Sequence, residues 1–284
     1  MELLHIPEST YYRKPSMIGM RRGRKRTVKT ELSSDGVRII VPDNQVLDEI
    51  GELLSREFVC YGYKKVTKHL QRSGYRINRK KVFRLMKENN LLNHTYNYRS
   101  PAKRVVESVV DVHAPNEVWE MDIKYVYIQG ENRTAYLFAI IDCFTREVVG
   151  HYMGYHCTSR DVKMAMDFAF LDRGVNAVSK VRIRSDNGTQ FVSRVVEQFL
   201  SSSNIEHERI HPATPKEDAH IESFNSILEK EVIRRFEFSS FKDSDGTIDR
   251  FIAFYNNERL HSAIGYRAPK EVYETWKENL IEER

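Results

Sequence analysis

The sequence predicts an α/β fold, a mixed sheet flanked by helices, preceded by a small all-helical domain. After residue 116, apolar residues first alternate with the two-residue period of strands, and later segments alternate between helical and strand periods. Before residue 93 the apolar residues keep helical spacing. Residues 61–90 also hold ten Lys and Arg but one acid, Glu88, which sets this region apart from the rest. The sequence therefore predicts two domains of different character.

Length and composition agree with two domains and a sizeable core. The chain has 284 residues, of which 40% are hydrophobic. No apolar run approaches the length of a membrane span, and the N-terminus lacks a charged segment followed by an apolar one. The three cysteines, Cys60, Cys143 and Cys157, fit neither a disulfide framework nor a zinc pattern. We therefore expect an intracellular protein without a membrane partner.

The charge is unevenly distributed along the chain. Residues 1–110 hold 23 Lys and Arg against 11 Asp and Glu, a net charge of +12. The remainder holds 22 against 29, a net charge of −7. A basic front half joined to an acidic back half indicates a module that binds a polyanion, attached to a second domain. The alternative is a solvated basic surface without a partner.

Residues 1–43 are predicted to form a basic N-terminal arm. The cluster Arg21–Arg26 would contact phosphates, with Arg22 and Arg24 as candidate ligands of DNA. Ser33–Gly36 reads as a turn or linker. The alternative interpretation of this segment is a solvated tail.

Residues 44–92 are predicted to form three helices. Val66 and Leu70 mark the second helix, which ends near Gly74, and Asn78 is placed to cap the third, 79–87. A short helix, a glycine turn and a basic helix resemble a helix-turn-helix, although many small helical hairpins bind nothing. The candidate DNA-binding residues of this domain are Lys64, Lys65, Arg79, Lys80, Arg84 and Lys87.

Residues 93–115 are predicted to be a linker, punctuated by Pro101 and Pro115, and residues 116–280 the second domain with C-terminal helices. In the first strand, 118–128, Asp122 lies on the polar face. Further strands are expected at 136–141, 147–155, 181–184 and 205–210, and helices at 161–171, 192–200, 217–236, 247–256 and 269–279.

Three carboxylates stand in distinctive contexts within this domain. Asp122 lies on a strand, Asp186 follows a strand, and Glu222 lies on a helix, with thirty-five residues between Asp186 and Glu222. Three carboxylates that converge need a cation between them, and hard oxygen ligands suit Mg²⁺ or Mn²⁺. Two such ions would activate an attacking oxygen and stabilise the leaving 3′-oxygen of a phosphodiester. Taken singly, the three residues could equally be a strand surface residue, a turn residue and a solvated helix residue.

The flanking motifs resemble those of the DDE transposase and integrase superfamily, and more closely the OrfB product of IS3-family bacterial insertion sequences. That resemblance implies a ribonuclease-H-like core after a helix-turn-helix domain. The matching segments are Trp119–Ile123, Ile141–Arg146, Ser185–Phe191, Ala219–Ser226 and Tyr255–His261 in the back half, and Tyr61–Val66 and Arg84–Met86 in the front half.

The resemblance implies that the protein cuts and joins DNA at element ends with two Mg²⁺ or Mn²⁺ ions. By position, Asp122, Asp186 and Glu222 become the catalytic and metal-binding triad, Asp142 lies outside it, and Asn187 becomes a DNA contact. The implied partners are the double-stranded DNA of element ends and target, other copies of the chain on DNA, and the product of an upstream reading frame, bound or fused. The implied location is the bacterial cytoplasm, at the nucleoid.

Two positions depart from the family's pattern. Glu229 replaces the usual basic residue seven positions after Glu222, with Lys230 one place later as the candidate DNA contact, and Asp218 replaces an asparagine. If Glu229 faces phosphate, Glu229→Lys should strengthen DNA binding. Two other functions stay open at this stage: a ribonuclease-H-like nuclease that only hydrolyses, and a non-catalytic DNA-binding regulator or domesticated relic.

Overall fold

The computed structural model describes residues 29–34, 37–93, 111–175, 179–209 and 219–282. Arg22 and Arg24 lie outside these ranges, as do most of the predicted linker and Asp218. Within these ranges, no helix combines the length and apolar character that crossing a bilayer requires.

The predicted helical domain also contains a small sheet. Strands β1 (Lys29–Ser34) and β2 (Val37–Pro42) form an antiparallel hairpin, and β3 (Tyr75–Arg76) pairs with β1. Residues 29–34 and 37–42, which were predicted to belong to the basic arm, are therefore strands that pack on the domain. Most of β2 is exposed, with Val37, Ile39 and Ile40 in solvent, so its apolar residues form no alternating pattern that predicts a strand.

The three predicted helices are present: α1 (Asp43–Ser55), α2 (Tyr63–Arg72) and α3 (Arg79–Glu88). The Asn78 side chain caps α3 by accepting a hydrogen bond from Lys81 N at 3.0 Å, as predicted. Between α2 and β3, Gly74 has a φ of +90° and a Cβ there would lie 2.2 Å from the Ser33 carbonyl oxygen. This turn requires glycine, and it brings the helix-turn-helix against the hairpin.

The second domain is built on a five-stranded mixed sheet in the order β6-β5-β4-β7-β8. The pairs β4–β5 and β5–β6 are antiparallel, and β4–β7 and β7–β8 are parallel. The strands are β4 (Val118–Ile128), β5 (Arg133–Asp142), β6 (Val148–Gly154), β7 (Arg182–Ser185) and β8 (Glu206–Arg209). The helices are α4 (Ser159–Arg173), α5 (Arg194–Ser202), α6 (Ala219–Leu228), α7 (Phe241–Asn257) and α8 (Pro269–Glu282).

Helices cover both faces of this sheet, which confirms the predicted fold class. On β5, Leu137, Ala139 and Ile141 face α6 and α7, while Phe138 and Ile140 face α4 and α5. The predicted helix over 217–236 departs from a regular α-helix: α6 continues as a π-helical turn, Glu229–Ile233. Such turns are rare and leave no mark in hydrophobic spacing.

Candidate active site

The two aspartates are brought together by the register of the central parallel strands. Val118 of β4 pairs with Arg182 of β7, and Glu120 pairs with Arg184. Continued by two residues, the same offset places Asp186 level with Asp122, on the same face of the sheet. The site therefore lies where these two strands end their pairing, a common position for ligands in α/β sheets.

Asp186 occupies a tight turn directly after β7. Its Oδ1 accepts a hydrogen bond from Gly188 N at 2.9 Å, and the side chain is otherwise exposed. A Cβ at Gly188 would lie 3.0 Å from the same Oδ1, so glycine leaves room for the carboxylate.

Glu222 lies in the first turn of α6, and Asn225 lies on the same face one turn later. Asn225 Nδ2 donates to Asp122 Oδ2 at 2.8 Å, which fixes this face of α6 against β4. Burial raises the pKa of Asp122, and the negative charges of Asp186 and Glu222 raise it further. Asp186 and Glu222 therefore act electrostatically on Asp122, as carboxylates that share a cation site would.

Three polar residues on one face of β4 contact α6 and its continuation in order. Glu120 is fully buried, and its Oε2 accepts from His220 N and Ile221 N at 2.9 and 2.8 Å. Asp122 then contacts Asn225, and Lys124 contacts Glu229 at 3.0 Å. The carboxylate of Glu120 also suits the positive end of a helix. This series of contacts aligns α6, and with it Glu222, along β4.

Glu120, Cys143 and His220 form a second group of potential ligands, with ligand atoms within 4.8 Å of one another. Burial raises the pKa of Glu120 to about 7 and that of Cys143 well above its usual value. Glu120 Oε1 lies 2.6 Å from His220 Nδ1, and positive charge from Arg146 and Arg184 already acts on the carboxylate. These groups satisfy one another, so we assign them a structural role as the anchor of α6 rather than a metal site.

Glu229 is paired instead of facing solvent as an isolated anion. Its Oε2 lies 3.0 Å from Lys124 Nζ, and its Oε1 lies 3.1 Å from Arg234 Nε. Burial opposes ionisation of Glu229, but hydrogen bonds from Lys124 and Arg234 lower its pKa overall. The acidic residue that stands where the family pattern has a basic one is therefore paired with a lysine on β4. The sequence around Glu229 alone did not indicate this pairing.

We expect Glu229→Lys to lower the midpoint of thermal unfolding by a few degrees, equivalent to about 1 kcal/mol, because it places a third cation beside Lys124 and Arg234. Differential scanning calorimetry measures the shift. The double variant Lys124→Glu with Glu229→Lys restores one opposite-charge pair and should regain most of the loss. A single variant as stable as the parent would show that these pairs contribute nothing.

Asp142 organises the start of the sheet. The carboxylate is fully buried and accepts hydrogen bonds from Asn116 N at 2.6 Å, Trp119 Nε1 at 3.1 Å and Thr145 N at 2.7 Å. It ends β5 and closes the turn that follows. Asp142 therefore has a structural role outside the group of three carboxylates.

The candidate DNA-binding residues fall into two groups. Lys64, Arg79, Lys80 and Lys87 are exposed on α2 and α3, and Asn187 and Lys230 are exposed in the second domain. Arg84 is paired with Asp43 and Glu88, both at 3.1 Å. Lys65 packs over the Tyr61 ring at 5.0 Å, and burial lowers its pKa to about 8.

No role for Glu120 or Asn225 could be predicted from the sequence, although both lie within the family-like segments Trp119–Ile123 and Ala219–Ser226. Glu120 shares the polar face of β4 with Asp122, and Asn225 shares a face of α6 with Glu222. These positional relations were the available signal. Glutamates on strands and asparagines on helices are common elsewhere, so a role for either residue required the partners that the structure shows.

A mixed sheet in this order, with acidic side chains at the junction of its central parallel strands, defines a ribonuclease-H-like protein. The comparisons with known proteins agree. The Integrase core domain family matches residues 112–215 and, through a second description of the same domain, residues 203–269. An HTH-like domain family matches residues 42–98.

The similar proteins come from insertion sequences. The 31.7 kDa protein of insertion element IS407 from Burkholderia multivorans is 28% identical over 81% of this chain and 81% of its own length. The transposase of IS904 from Lactococcus lactis is 25% identical over 88% of this chain and 97% of its own. Among solved structures, the HTLV-2 integrase catalytic core domain in complex with magnesium covers 56% of this chain and 97% of its own, with 18% identity and a TM-score of 0.45.

Together the two integrase core matches span more than half of the chain. The chain belongs to the integrase core family, among the transposases of insertion sequences, and it is a polynucleotidyl transferase of the DDE class. The resemblance drawn from its motifs is confirmed.

Proposed function

We propose that the chain cleaves DNA strands at the ends of an insertion sequence and joins them to target DNA, with Asp122, Asp186 and Glu222 as its catalytic carboxylates. The observation that carries this assignment is the convergence of the three residues. Continued two residues past its last pair, the strand register brings Asp186 level with Asp122, and Asn225 donates the hydrogen bond that holds the helix bearing Glu222 against Asp122. The charges of both partners act on the Asp122 carboxylate.

The donor set fits divalent metal ions, which the integrase core family uses. Asp122, Asp186 and Glu222 offer only oxygen atoms, the ligand type that Mg²⁺ and Mn²⁺ prefer. Burial, and then the negative charges of Asp186 and Glu222, raise the pKa of Asp122, and a bound cation would relieve the repulsion among these carboxylates. Two bound Mg²⁺ or Mn²⁺ ions would supply activation of the attacking oxygen and charge stabilisation at the leaving oxygen.

The protein's own residues position these carboxylates. Asn225 donates to Asp122 Oδ2, and Ile123 N donates to Oδ1, so the orientation of this side chain is fixed before any ion binds. The turn at Gly188 orients Asp186. Glu222 depends on the placement of α6, which Glu120 anchors at its start. Preorganisation of this kind reduces the free-energy cost of assembling the site.

A strand-transfer assay tests the proposed function. Labelled DNA carrying the element ends is incubated with the full chain and Mg²⁺ or Mn²⁺, and products are resolved by length. Joined products support the proposal, hydrolysis without joining would support a nuclease, and the absence of both with DNA binding intact would support a regulator. Chelation with EDTA should stop both reactions.

We also propose that duplex DNA contacts the exposed face of α3, where Arg79, Lys80 and Lys87 bind phosphates. Lys64, on the preceding helix α2, is a further proposed phosphate contact. Basic side chains on one helix face favour a phosphate track. Four further residues are proposed as DNA contacts because of their positions in the sequence: Arg22, Arg24, Asn187 and Lys230. Lys65 and Arg84, which have partners within the protein, are weaker candidates.

We expect the affinity of the full chain for duplex DNA to fall steeply as salt rises. Arg79→Ala and Lys80→Ala should each reduce the slope of log affinity against log salt by about 1, because each removes one phosphate contact. Fluorescence anisotropy at several salt concentrations measures the slope. Lys242→Ala, which removes an exposed lysine at the start of α7, is the matched control. Parental slopes in both α3 variants would exclude α3 as the phosphate-binding face.

The domain division and partners follow from this proposal. We propose a DNA-binding domain over 44–92, on which the strands of residues 29–34 and 37–42 within the predicted arm 1–43 pack, a linker over 93–115 and a catalytic domain over 116–280. Copies of the chain would assemble on paired element ends, and Met164, Phe168 and Leu171 form an exposed apolar stripe on α4 that supports such contacts.

Because the substrates would be element and target DNA, the proposed location of the reaction is the bacterial nucleoid. The product of an upstream reading frame is a further proposed partner.

A further inference from the structure

The DNA-binding domain and the catalytic domain exchange apolar side chains. Phe58, which lies between α1 and α2, is buried in the catalytic core, and its ring centroid lies 5.5 Å from Phe251 and 5.8 Å from Phe254. In the opposite direction, Leu260 is buried in the core of the DNA-binding domain. Each domain therefore completes the hydrophobic core of the other.

A buried hydrogen bond joins the same two regions. Leu260 N donates to Tyr61 Oη at 2.9 Å, and Tyr61 is only 2% exposed. Tyr61 stands just before α2, in the segment that leads into the helix-turn-helix. Movement of α2 relative to the catalytic domain would leave the buried Leu260 amide without an acceptor, which is costly.

The residue before Leu260 connects this contact to the catalytic helix. Arg259 Nε lies 2.7 Å from Glu231 Oε2, and Arg259 Nη2 lies 2.6 Å from Glu231 Oε1, so the pair is bidentate. Both side chains are buried, at 5% and 10% exposure. Glu231 belongs to the π-helical turn that continues α6, which carries Glu222.

We propose that Tyr61, Glu231, Arg259 and Leu260, here called the Arg259 latch, set the position of Glu222 relative to DNA held by the helix-turn-helix. Arg259 is a positioning residue that determines where along the bound DNA the strand is cut. The latch gives a role to the Tyr255–His261 motif, which the carboxylate chemistry leaves unexplained. This inference rests on the proposed function, because it concerns the site of cleavage.

Other polar contacts between the domains are poorly suited to this role. Arg250 pairs with Glu57 at 2.9 Å and Arg72 pairs with Glu271 at 2.8 Å, but these side chains are 37–56% exposed. Exposed pairs hold geometry weakly, since water competes for both partners. The bidentate, buried pair of Arg259 and Glu231 is directional, and loss of either partner leaves a buried charge.

The test uses the full chain and two conservative variants, Arg259→Lys and Tyr61→Phe. Arg259→Lys keeps the positive charge but loses the bidentate geometry. Tyr61→Phe removes the hydroxyl that accepts from Leu260 N and donates to the Glu258 carbonyl oxygen at 3.5 Å. The readout is the distribution of cleavage positions on end-labelled DNA. We expect cutting to spread over neighbouring positions in both variants, and the rate at the parental position to fall on the order of tenfold or more in Arg259→Lys.

Two further measurements separate positioning from simple loss of stability. DNA affinity should stay within about twofold of the parent in both variants, because the phosphate-binding face of α3 is unchanged. Arg250→Gln, which breaks an exposed interdomain pair, should cut at the parental position. A variant that is merely less stable would give less product at that same position.

Amide exchange provides a readout that is independent of cleavage. In Tyr61→Phe, exchange of the Leu260 amide should accelerate about tenfold or more, while Ile252 within α7 stays protected. Parental exchange at Leu260, or a single parental cutting position in both folded variants, would overturn the latch. If Arg259→Lys fails to fold, the cleavage positions and the Leu260 exchange of Tyr61→Phe decide whether the proposal stands. A parental protein that binds DNA but never cuts it would refute the proposed function instead, and the Leu260 exchange would still test the coupling.

Discussion

Asp122→Asn, Asp186→Asn and Glu222→Gln are each expected to abolish strand cleavage and joining while DNA binding persists. Each substitution removes an anionic oxygen ligand but keeps the shape of the side chain. We expect rates to fall at least about a thousandfold, roughly 4 kcal/mol of transition-state stabilisation. Strand-transfer assays and anisotropy on the same protein preparations measure the two properties. Glu278→Gln, an exposed substitution on α8, is the matched control.

The same variants make a distinct prediction for stability. Burial and the charges of Asp186 and Glu222 raise the pKa of Asp122, so its ionised form destabilises the folded protein without metal. In EDTA, Asp122→Asn should therefore be at least as stable as the parent. Added Mg²⁺ or Mn²⁺ should raise the thermal midpoint of the parent more than that of the variant. Near-parental strand transfer in any one of the three variants would remove that residue from the triad.

The positions of Asp122 and Asp186 in the fold could be predicted from the sequence, because each lies where a local pattern places it. Alternation in 118–128 put Asp122 on the polar face of a strand, and the turn at Gly188 put Asp186 beyond a strand end. The matching 64-residue offset of the β4–β7 register became visible only with the pairing itself. Strand order is set by long-range packing, which spacing along one chain does not encode.

The contacts that hold the site together could not be predicted from the periodic patterns of the sequence. Glu120 reads as an ordinary polar position of a strand, yet it is fully buried because the start of α6 supplies its donors. The pairing of Glu229 could not be predicted, because its partner, Lys124, lies on a strand far away in sequence. The hairpin before α1 was also not predicted. The strand that pairs with it, β3, lies farther along the chain and has only two residues, too few to give a strand pattern.

Glu120→Ala is expected to lower the free energy of unfolding by about 3 kcal/mol or more, because it leaves the amides of His220 and Ile221 and the His220 ring without their acceptor. Chemical denaturation with a fluorescence readout measures this loss. Strand transfer should also fall in the fraction that remains folded, since Glu222 follows two residues after His220 on the helix that Glu120 anchors.

Glu120→Gln separates the hydrogen bonds from the charge. A glutamine keeps one carbonyl oxygen for the two backbone amides, and its NH₂ group can donate to His220 if the ring adopts the other tautomer. We therefore expect a loss of only about 1 kcal/mol and substantial retained strand transfer. If Glu120→Ala unfolded at the parental denaturant concentration, α6 would be held by its apolar face alone. If Glu120→Gln were as damaging as Glu120→Ala, the negative charge of Glu120 at the start of α6, rather than its accepted hydrogen bonds, would be what positions Glu222.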